Sequence, residues 1–372
     1  MERAKPPFRA DHVGSLLRTA PVKEARARRL AGEITPEALE AVEDAEIGQL
    51  VARQQAIGLH AVTDGEFRRS WWHYDFLSHL DGVELVSVAQ GLQFKGTQTK
   101  AEGLHVHGKI GFSSGHPMLD HFRYLKSVAE GLPGKPVAKM TIPSPTALHY
   151  RGGRQAIERL VYPEMEPFFA DLGHAYAKAV RAFGEAGCTY LQLDEVFVAY
   201  LCDEAQRDYL RSRGDDPDKL LEVYADLVNA ACTGRTPGMT LSMHLCRGNF
   251  RSTWMAQGGY ERVADVLFNR MDVDAYFMEY DSERAGGFEP LRLLPKSKQV
   301  VLGVMTSKTG ALESKDQLKR RVDQAAKFAP LDQLCLSPQC GFASTEEGNL
   351  LAEDEQWAKL AHCVEVAREV WR

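Results

Sequence analysis

The stretch MTLSMHLCRGNF (239–250) joins a short apolar run to two side chains that commonly bind metals. Residues 239–245 have the length and apolar character of a buried strand. Alternate residues of a strand point to the same face, so His244 and Cys246 can meet one ion if the strand directs both inward. A third ligand must then arrive from a neighbouring strand.

A second apolar run, LCLSPQCGF (334–342), places Cys340 at its end and is the source we predict for that third ligand. One imidazole and two thiolates form a ligand set that selects zinc over calcium or magnesium. The other five cysteines fall inside predicted strands or helices and are interpreted as small core residues: Cys188, Cys202, Cys232, Cys335 and Cys363.

Apolar runs of strand length alternate with amphipathic helical patterns along most of the chain. The predicted strands are 8–14, 60–65, 137–143, 188–194, 239–245, 275–280, 299–305 and 333–338. The predicted helices run from Thr35-Pro36 to about Gly58 and over 163–186, 217–233, 258–269, 314–328 and 353–371. Eight strands interleaved with helices predict an α/β protein with a (β/α)8 TIM barrel.

The region 90–116 interrupts this alternation, and its turn residues predict a β-hairpin inserted before the third barrel strand. The sequence has no Pro-, Gly- or Ser-rich linker and no internal repeat. We therefore expect residues 1–372 to form a single barrel domain.

Composition narrows the class of protein. A net charge of −6 and a pI of about 6.1 exclude a basic surface for nucleic acid. We expect no membrane association, because no apolar run approaches the length that spans a bilayer. Seven scattered cysteines are not typical of a secreted disulfide framework, and the N-terminus lacks an apolar signal core. These features predict a cytoplasmic protein.

In such barrels the active site gathers at the carboxyl ends of the strands. Residues that can bind a ligand or take part in chemistry lie at the end of every predicted strand. They are His12, Gly14 through its backbone, Ser15, Asp64, Glu66, Ser144, Asp194, Glu195, His244, Cys246, Glu279, Thr306, Lys308 and Cys340. Glu279 and Cys340 lie at the ends of other strands and extend the His244 and Cys246 pair to a metal site.

The carboxylates at these strand ends have two interpretations. Asp194 and Glu195 either cap the next helix or face the site, and Asp64 and Glu66 either serve a turn or face the site. Paired carboxylates are also typical of glycoside hydrolysis, in which two thiolates would have no role. The aromatic segment RRSWWHYDFLSHLDGVE (68–84) either buries Trp71, Phe76 and Leu80 or forms a wall that stacks on a planar substrate.

Six motifs carry a resemblance to a known family. DHVGSL (11–16), TDGEFRR (63–69), LQLDE (191–195), HLCRGN (244–249), FMEYD (277–281) and SPQCGF (337–342) occur in this order. The chain thereby resembles cobalamin-independent methionine synthase, in particular the catalytic C-terminal barrel of the long synthase and its shorter single-domain relatives. The resemblance covers nearly the whole chain.

The resemblance implies a zinc-dependent methyltransferase of methionine biosynthesis. It implies that the zinc ligands are His244, Cys246, Glu279 and Cys340. It further implies that Ser15 and the backbone around Gly14 hold the carboxylate of homocysteine, while Glu66 and Asp194 bind its ammonium group. The metal would lower the pKa of the substrate thiol, which then attacks the methyl group of 5-methyltetrahydrofolate.

Two departures from the family pattern concern the methyl donor. The chain lacks the N-terminal half with which the long synthase helps to bind folate, so a related donor or a partner protein that supplies the methyl group is an alternative. The loop GVMTSKTG (303–310) has Lys308 near the position of the family's proton-donating histidine. A second family member, epoxyalkane:coenzyme M transferase, gives the alternative of a thiol alkyltransferase; a barrel glycosidase or binding protein with a structural zinc is a third hypothesis. The oligomeric state is not predicted.

Overall fold

The computed structural model describes residues 3–372, and a parallel sheet of seven strands forms its centre. In chain order the strands of the described residues are β1 (Ala61–Val62), β2 (Asp81–Ser87), β3 (Gln93–Phe94), β4 (Thr97–Gln98), β5 (Glu102–Gly111), β6 (Val137–Pro143), β7 (Tyr190–Asp194), β8 (Thr240–Leu245), β9 (Ala275–Glu279), β10 (Gln299–Met305) and β11 (Leu334–Pro338). The parallel sheet has the order β1-β6-β7-β8-β9-β10-β11. The α/β prediction is confirmed at this level, with seven of the eight predicted strands.

The register of the sheet brings the ends of its central strands to one level. Asp194 on β7 pairs with Pro143 on β6 and with His244 on β8. On the next strands, Glu279 pairs with Gly303. Residues separated by many positions in sequence therefore meet at the carboxyl edge of the sheet.

The sheet is curled, as contacts between distant strands demonstrate. Three strand spacings separate β6 from β9, which is about 14 Å in a flat sheet. Yet Lys139 on β6 holds its Nζ 3.9 Å from the ring centre of Phe277 on β9. The Lys139 ammonium is fully buried and lies 3.3 Å from Asp11, whose carboxylate also accepts a hydrogen bond from Tyr190. A small apolar core fills the inside of the curl, and a larger one lies between the sheet and the helices.

The first predicted strand, residues 8–14, is not a regular strand. Only Ala10 forms a bridge, with Leu336 on β11, through two backbone hydrogen bonds. The carboxylate of Asp11 accepts hydrogen bonds from the backbone of Phe8 and His12. These side-chain bonds replace ladder bonds, and Gly14 then leaves the extended conformation with φ +139°. The strand prediction is therefore wrong for most of this segment.

The helices cover the outer face of the sheet. They are α1 (Ala20–Leu30), α2 (Pro36–Ala56), α3 (Tyr74–Leu77), α4 (Pro117–Gly131), α5 (Thr146–Gly152), α6 (Met165–Glu185), α7 (Phe197–Tyr200), α8 (Glu204–Ser212), α9 (Pro217–Cys232), α10 (Lys315–Ala325) and α11 (Glu353–Val370). The helix predicted over 258–269 is instead a 3₁₀ turn, Tyr260–Arg262, followed by a π-helical turn, Val266–Arg270. The Tyr260 hydroxyl anchors this segment to the strand ends, because it donates to the carbonyl of Leu245 and accepts from the backbone of Glu279.

Antiparallel strands occupy the interval between β1 and β6. Strand β2 pairs with β5, and the short strands β3 and β4 pair with each other between them. The antiparallel segment thus begins at Asp81 and ends at Gly111, whereas the sequence predicted a hairpin over 90–116. The β3–β4 turn is fixed near the carboxyl edge of the parallel sheet, since the backbone of Lys95 donates to the carbonyl of Trp254.

A search of the helices in the described residues finds none with both the length and the apolar character needed to cross a bilayer.

Candidate metal and substrate site

Three predicted metal ligands converge at the carboxyl edge of the sheet. The ligand atoms of His244, Cys246 and Cys340 all lie within 4.8 Å of one another, and all three residues are buried. His244 lies on β8 and Cys246 directly follows it, so both project to the same face. Cys340 lies two residues beyond β11, where the backbone of Gln339 donates to the carbonyl of Met305 and turns the chain inward.

The donor set fits a soft divalent metal. Among residues 3–372, neither ring nitrogen of His244 has a hydrogen-bond partner, although both are buried. A hydrogen bond from the Cys246 thiol, together with the smaller effect of the charge of His244, holds the pKa of Cys340 well below its ordinary value. Burial works to lower the pKa of His244, but the neighbouring Cys340 raises it above its usual value. Two thiols and one imidazole whose ligand atoms lie this close together can therefore hold a metal such as zinc.

Glu279, the fourth predicted ligand, is not part of the three-residue group found among the described residues. Its carboxylate has other partners. Its carboxylate accepts a hydrogen bond of 2.6 Å from the backbone of Arg247 and another from the guanidinium of Arg284. Burial alone would raise the pKa of Glu279, but the charges of Lys308, Arg247 and Arg284 lower it to about 2. The side chain is thus a fully buried carboxylate that is held charged beside the cluster.

Lys308 lies behind Glu279. Its Nζ is 3.6 Å from Glu279 and 3.6 Å from Asp281, and only 8% of the residue is exposed. No acceptor in the described part of the chain is close enough to form a hydrogen bond with this buried ammonium. Lys308 therefore lies beside two carboxylates, and its ammonium group is free to donate hydrogen bonds.

A cavity opens beside the three-residue cluster. It brings together six of the nine predicted site residues, while Gly14, Glu279 and Lys308 do not line it. The residues that line the cavity are Val13, Ser15, Glu66, Trp72, Phe94, Arg151, Asp194, Val196, Tyr200, His244, Cys246, Gly248, Asn249, Cys340, Gly341 and Ser344.

Two buried carboxylates, Glu66 and Asp194, form the acidic side of this cavity. Burial raises the pKa of Glu66 above its usual value, and burial together with the charge of Glu66 raises the pKa of Asp194. One oxygen of Glu66 accepts from Thr141, whereas the other, Oε2, is buried without a partner from any described residue. Glu66 also has φ +60°, a left-handed conformation that is costly for a side chain with a Cβ. A cation bound here would relieve both the repulsion and the missing hydrogen bond.

The neighbouring acids, Asp64 and Glu195, have structural roles. Asp64 accepts a hydrogen bond of 2.9 Å from the backbone of Glu66 and so fixes the turn. Glu195 accepts from the backbone of Phe197 and Val198 and so caps the short helix α7. In each predicted pair, one carboxylate accepts backbone hydrogen bonds, Asp64 or Glu195, and the other lines the cavity, Glu66 or Asp194.

Ser15 and Gly341 are in close contact where both line the cavity. The hydroxyl of Ser15 accepts from the backbone of Ala343, and its carbonyl accepts from Phe342. A Cβ added to Gly341 would lie 1.9 Å from the Ser15 hydroxyl, so only glycine fits there. Gly14 is equally restricted, because an added Cβ would lie 2.7 Å from Thr141 at a positive φ.

We expect Gly341→Ala to reduce the free energy of unfolding by about 1–3 kcal/mol, the usual cost of forcing an added methyl group into a packed site. The variant should also bind less metal, because the displaced loop carries Cys340. Urea unfolding and metal analysis measure the two effects. Gly131→Ala is the control, since an added Cβ there meets no atom within 4 Å. Unchanged stability and metal content in Gly341→Ala would contradict the close contact.

Aromatic residues form the rest of the cavity wall. Trp71, Phe76 and Leu80 are buried in the core, which confirms the first interpretation for these residues. Trp72 lines the cavity, and its stacking on a planar substrate stays a prediction. Sequence reasoning did not identify Phe94, Arg151, Tyr200 or Asn249 as cavity residues. Phe94 lies in β3, Arg151 in α5 and Tyr200 in α7, elements for which the pattern of strand ends gave no signal, and Asn249 lies three residues beyond Cys246 in the loop after β8.

The fold and the site define a class: an α/β protein with a candidate thiolate metal centre at the carboxyl edge of a parallel sheet. The model of one protein family, described as "Cobalamin-independent synthase, Catalytic domain", matches residues 8–369. The chain therefore belongs to this family of methyltransferases, as the six motifs predicted.

Relatives and a solved structure agree with this assignment. The uncharacterized protein YxjH of Bacillus subtilis is 50% identical over 100% of this chain and 97% of its own length. A structure described as the putative vitamin-B12 independent methionine synthase of Listeria monocytogenes is 39% identical, with a TM-score of 0.80 and 100% of both chains covered. The 5-methyltetrahydropteroyltriglutamate–homocysteine methyltransferase of Bacillus velezensis is 24% identical over 96% of this chain but only 42% of its own length.

Proposed function

We propose that the protein is a zinc-dependent methyltransferase that binds homocysteine and transfers a methyl group to its sulfur, giving methionine. One observation carries the proposal: three soft metal ligands and two buried carboxylates line the same cavity. Among the relatives, the methyltransferase of Bacillus velezensis is named for homocysteine and a methylated folate.

His244, Cys246 and Cys340 are the proposed zinc ligands, with Glu279 as the fourth. When bound, zinc would supply the Lewis acidity that makes a thiol ionise at neutral pH. Glu279 is already charged beside the cluster, which suits a ligand. Arg284 and Lys308 compete for the same carboxylate, so Glu279 is the ligand we expect to be held most loosely.

Glu66 and Asp194 are proposed to bind the ammonium group of homocysteine. The free Oε2 of Glu66 supports this role, because a charge-assisted hydrogen bond from an ammonium would satisfy it. Ser15, which lines the cavity, and the backbone around Gly14 are proposed to hold the carboxylate of the same substrate. Fixing both ends of the amino acid orients its thiol toward the three soft ligands.

Lys308 is the proposed proton donor. In the transfer, the sulfur forms a bond to the methyl carbon and the electron pair of the broken bond stays on the donor nitrogen. That nitrogen then needs a proton, and Lys308, buried near Asp281, is the proposed source. Because Lys308 does not line the cavity, a water or a movement of its side chain must carry the proton there. The carboxylates beside it hold the ammonium in place until the proton leaves.

The methyl donor we propose is 5-methyltetrahydrofolate or a related small molecule. The chain spans 42% of the length of the Bacillus velezensis enzyme, so the proposal concerns a donor that binds to the part of such an enzyme that this chain matches. A partner protein that supplies the methyl group is the alternative route to the same product.

We further propose that residues 1–372 form one (β/α)8 barrel, in which residues 8–14 take the eighth strand position. The bridge from Ala10 to β11 and the hydrogen bond of 2.6 Å from Thr63 to the carbonyl of Gly14 support closure on both sides of this segment. In this arrangement, β2 to β5 form an antiparallel insertion before the third barrel strand.

The test is an assay of the zinc-loaded protein with homocysteine and 5-methyltetrahydrofolate, with methionine measured by mass spectrometry. We expect methionine to form, and the metal-free protein as control should form none. Coenzyme M with an epoxyalkane tests the alternative thiol alkyltransferase, whose sulfonate substrate would be repelled by Glu66 and Asp194. Failure of homocysteine to bind to the zinc-loaded protein would contradict the proposal, whereas binding without turnover of free folate would indicate a donor carried by a partner.

A further inference from the structure

Arg151 is a cation in the cavity that the proposed reaction does not use. It follows strand β6 near the end of α5, and its side chain lines the same cavity as the metal cluster. Within residues 3–372, no carboxylate forms an ion pair with it, and its Nε is buried without a hydrogen-bond partner. An unpaired guanidinium in a largely closed cavity is costly unless a ligand supplies the anion.

The surroundings of Arg151 hold its guanidinium in place. Its Cζ lies 5.0 Å from the ring centre of Phe197, which stacks in turn on Trp72 with ring centres 6.2 Å apart. Phe197 also stacks on Tyr150 at 4.8 Å. A guanidinium that rests on a packed aromatic ring loses little further entropy when it binds an anion.

A second polar group lies beside Arg151. The hydroxyl of Tyr200 is buried and lines the cavity, and the side chain of Arg151 is its polar neighbour. Burial raises the pKa of Tyr200 and the charge of Arg151 opposes that effect, so the two groups are neighbours. Together they offer one cation and one hydroxyl donor to an oxygen-rich group.

The cavity therefore has two chemically different halves. The half that contains Glu66 and Asp194 is acidic and suits an ammonium group. The other half has aromatic walls, Trp72 and Phe94, and its charged group is Arg151. Planar ligands stack on such walls, and a guanidinium pairs with a carboxylate or phosphate through two parallel hydrogen bonds.

We propose that Arg151, with Tyr200, forms a subsite for an anionic group on a planar ligand, a carboxylate or a phosphate, and that this ligand is the methyl donor. The identification of the ligand as the donor rests on the proposed function. The charge preference of the subsite does not, because it follows from Arg151 and the aromatic walls alone.

The experiment uses the zinc-loaded protein and two matched probes, 4-aminobenzoate and 4-aminobenzamide, which differ in charge and hardly in shape. Dissociation constants from calorimetry or ligand-observed NMR should favour the benzoate by about tenfold or more, since it forms a charge-assisted pair. Arg151→Gln should abolish this preference, and Arg151→Lys should retain part of it. Arg159→Gln is the control, because Arg159 is exposed and its loss changes the net charge equally.

Equal binding of the two probes by the unmodified protein would overturn the proposal, as would a preference that survives in Arg151→Gln. A parallel loss of homocysteine affinity in Arg151→Gln would also overturn it, because Arg151 would then hold the carboxylate of the thiol substrate. The two proposals fail separately: methionine formation without a probe preference removes only the anion subsite, and a probe preference without methionine formation removes only the methyltransferase.

Discussion

Cys340→Ala should leave the protein folded but nearly free of zinc, and Cys246→Ala should do the same. Each change removes one of three soft donors that lie within 4.8 Å of one another. Loss of an outer partner of a metal ligand typically costs ten- to a hundredfold in activity, so loss of a ligand itself should cost more than about a hundredfold. Metal analysis after reconstitution and the methionine assay measure the two losses.

Cys335→Ala is the matched control for this pair. Cys335 is a fully buried cysteine on the same strand, β11, but it lies in the small apolar core and not in the cluster. Its replacement should lower stability by leaving a cavity while zinc remains bound. Full zinc content in Cys340→Ala, or equal loss of zinc in Cys335→Ala, would show that the cluster is not the metal site.

Glu66→Gln should weaken homocysteine binding by about ten- to a hundredfold while zinc content stays unchanged. The variant keeps the shape of the side chain but loses the charged acceptor, and hydrogen bonds to charged groups contribute about 1.5–3 kcal/mol. Asp194→Asn should have the same direction of effect. Calorimetry on the zinc-loaded variants gives the affinities directly.

A thiol without the amine, 4-mercaptobutanoate, provides the control for this second prediction. Glu66 and Asp194 give it no ammonium to bind, so we expect equal affinity for the unmodified protein and for Glu66→Gln. If the unmodified protein bound both thiols equally well, the acidic side of the cavity would have another role.

The strand ends were predictable because two simple patterns combine there. Short apolar runs identified seven strands of the parallel sheet, and parallel strands must bring their carboxyl ends to one edge. This was enough to predict that His244 and Cys246 from β8 would meet Cys340 from beyond β11. The same pattern could not predict the partners of Glu279, because Arg284 lies in a loop whose path depends on tertiary contacts.

Elements with weak local patterns were missed or misplaced. Helix α1 buries only Val22 and Ala25, so its sequence shows little amphipathic periodicity. Residues 8–14 have the apolar character of a strand, but the side chain of Asp11 takes backbone hydrogen bonds that a strand would need. Arg151 and Tyr200 come from short helices, α5 and α7. Glu195 accepts from the backbone at the start of α7 and from the Thr146 hydroxyl in α5, a tertiary arrangement that no local pattern reveals.

The most direct measurement of the central claim is the number of protons released when homocysteine binds to the zinc-loaded protein at neutral pH. A free thiol is almost entirely protonated there, and a bound thiolate has lost its proton, so calorimetry in two buffers of different ionisation enthalpy counts the difference. We predict that homocysteine releases about one proton more than its S-methyl product, methionine, because both ligands place an ammonium group beside Glu66 and Asp194 and only homocysteine has a thiol to ionise. Equal proton release by the two ligands would contradict thiol activation by this site.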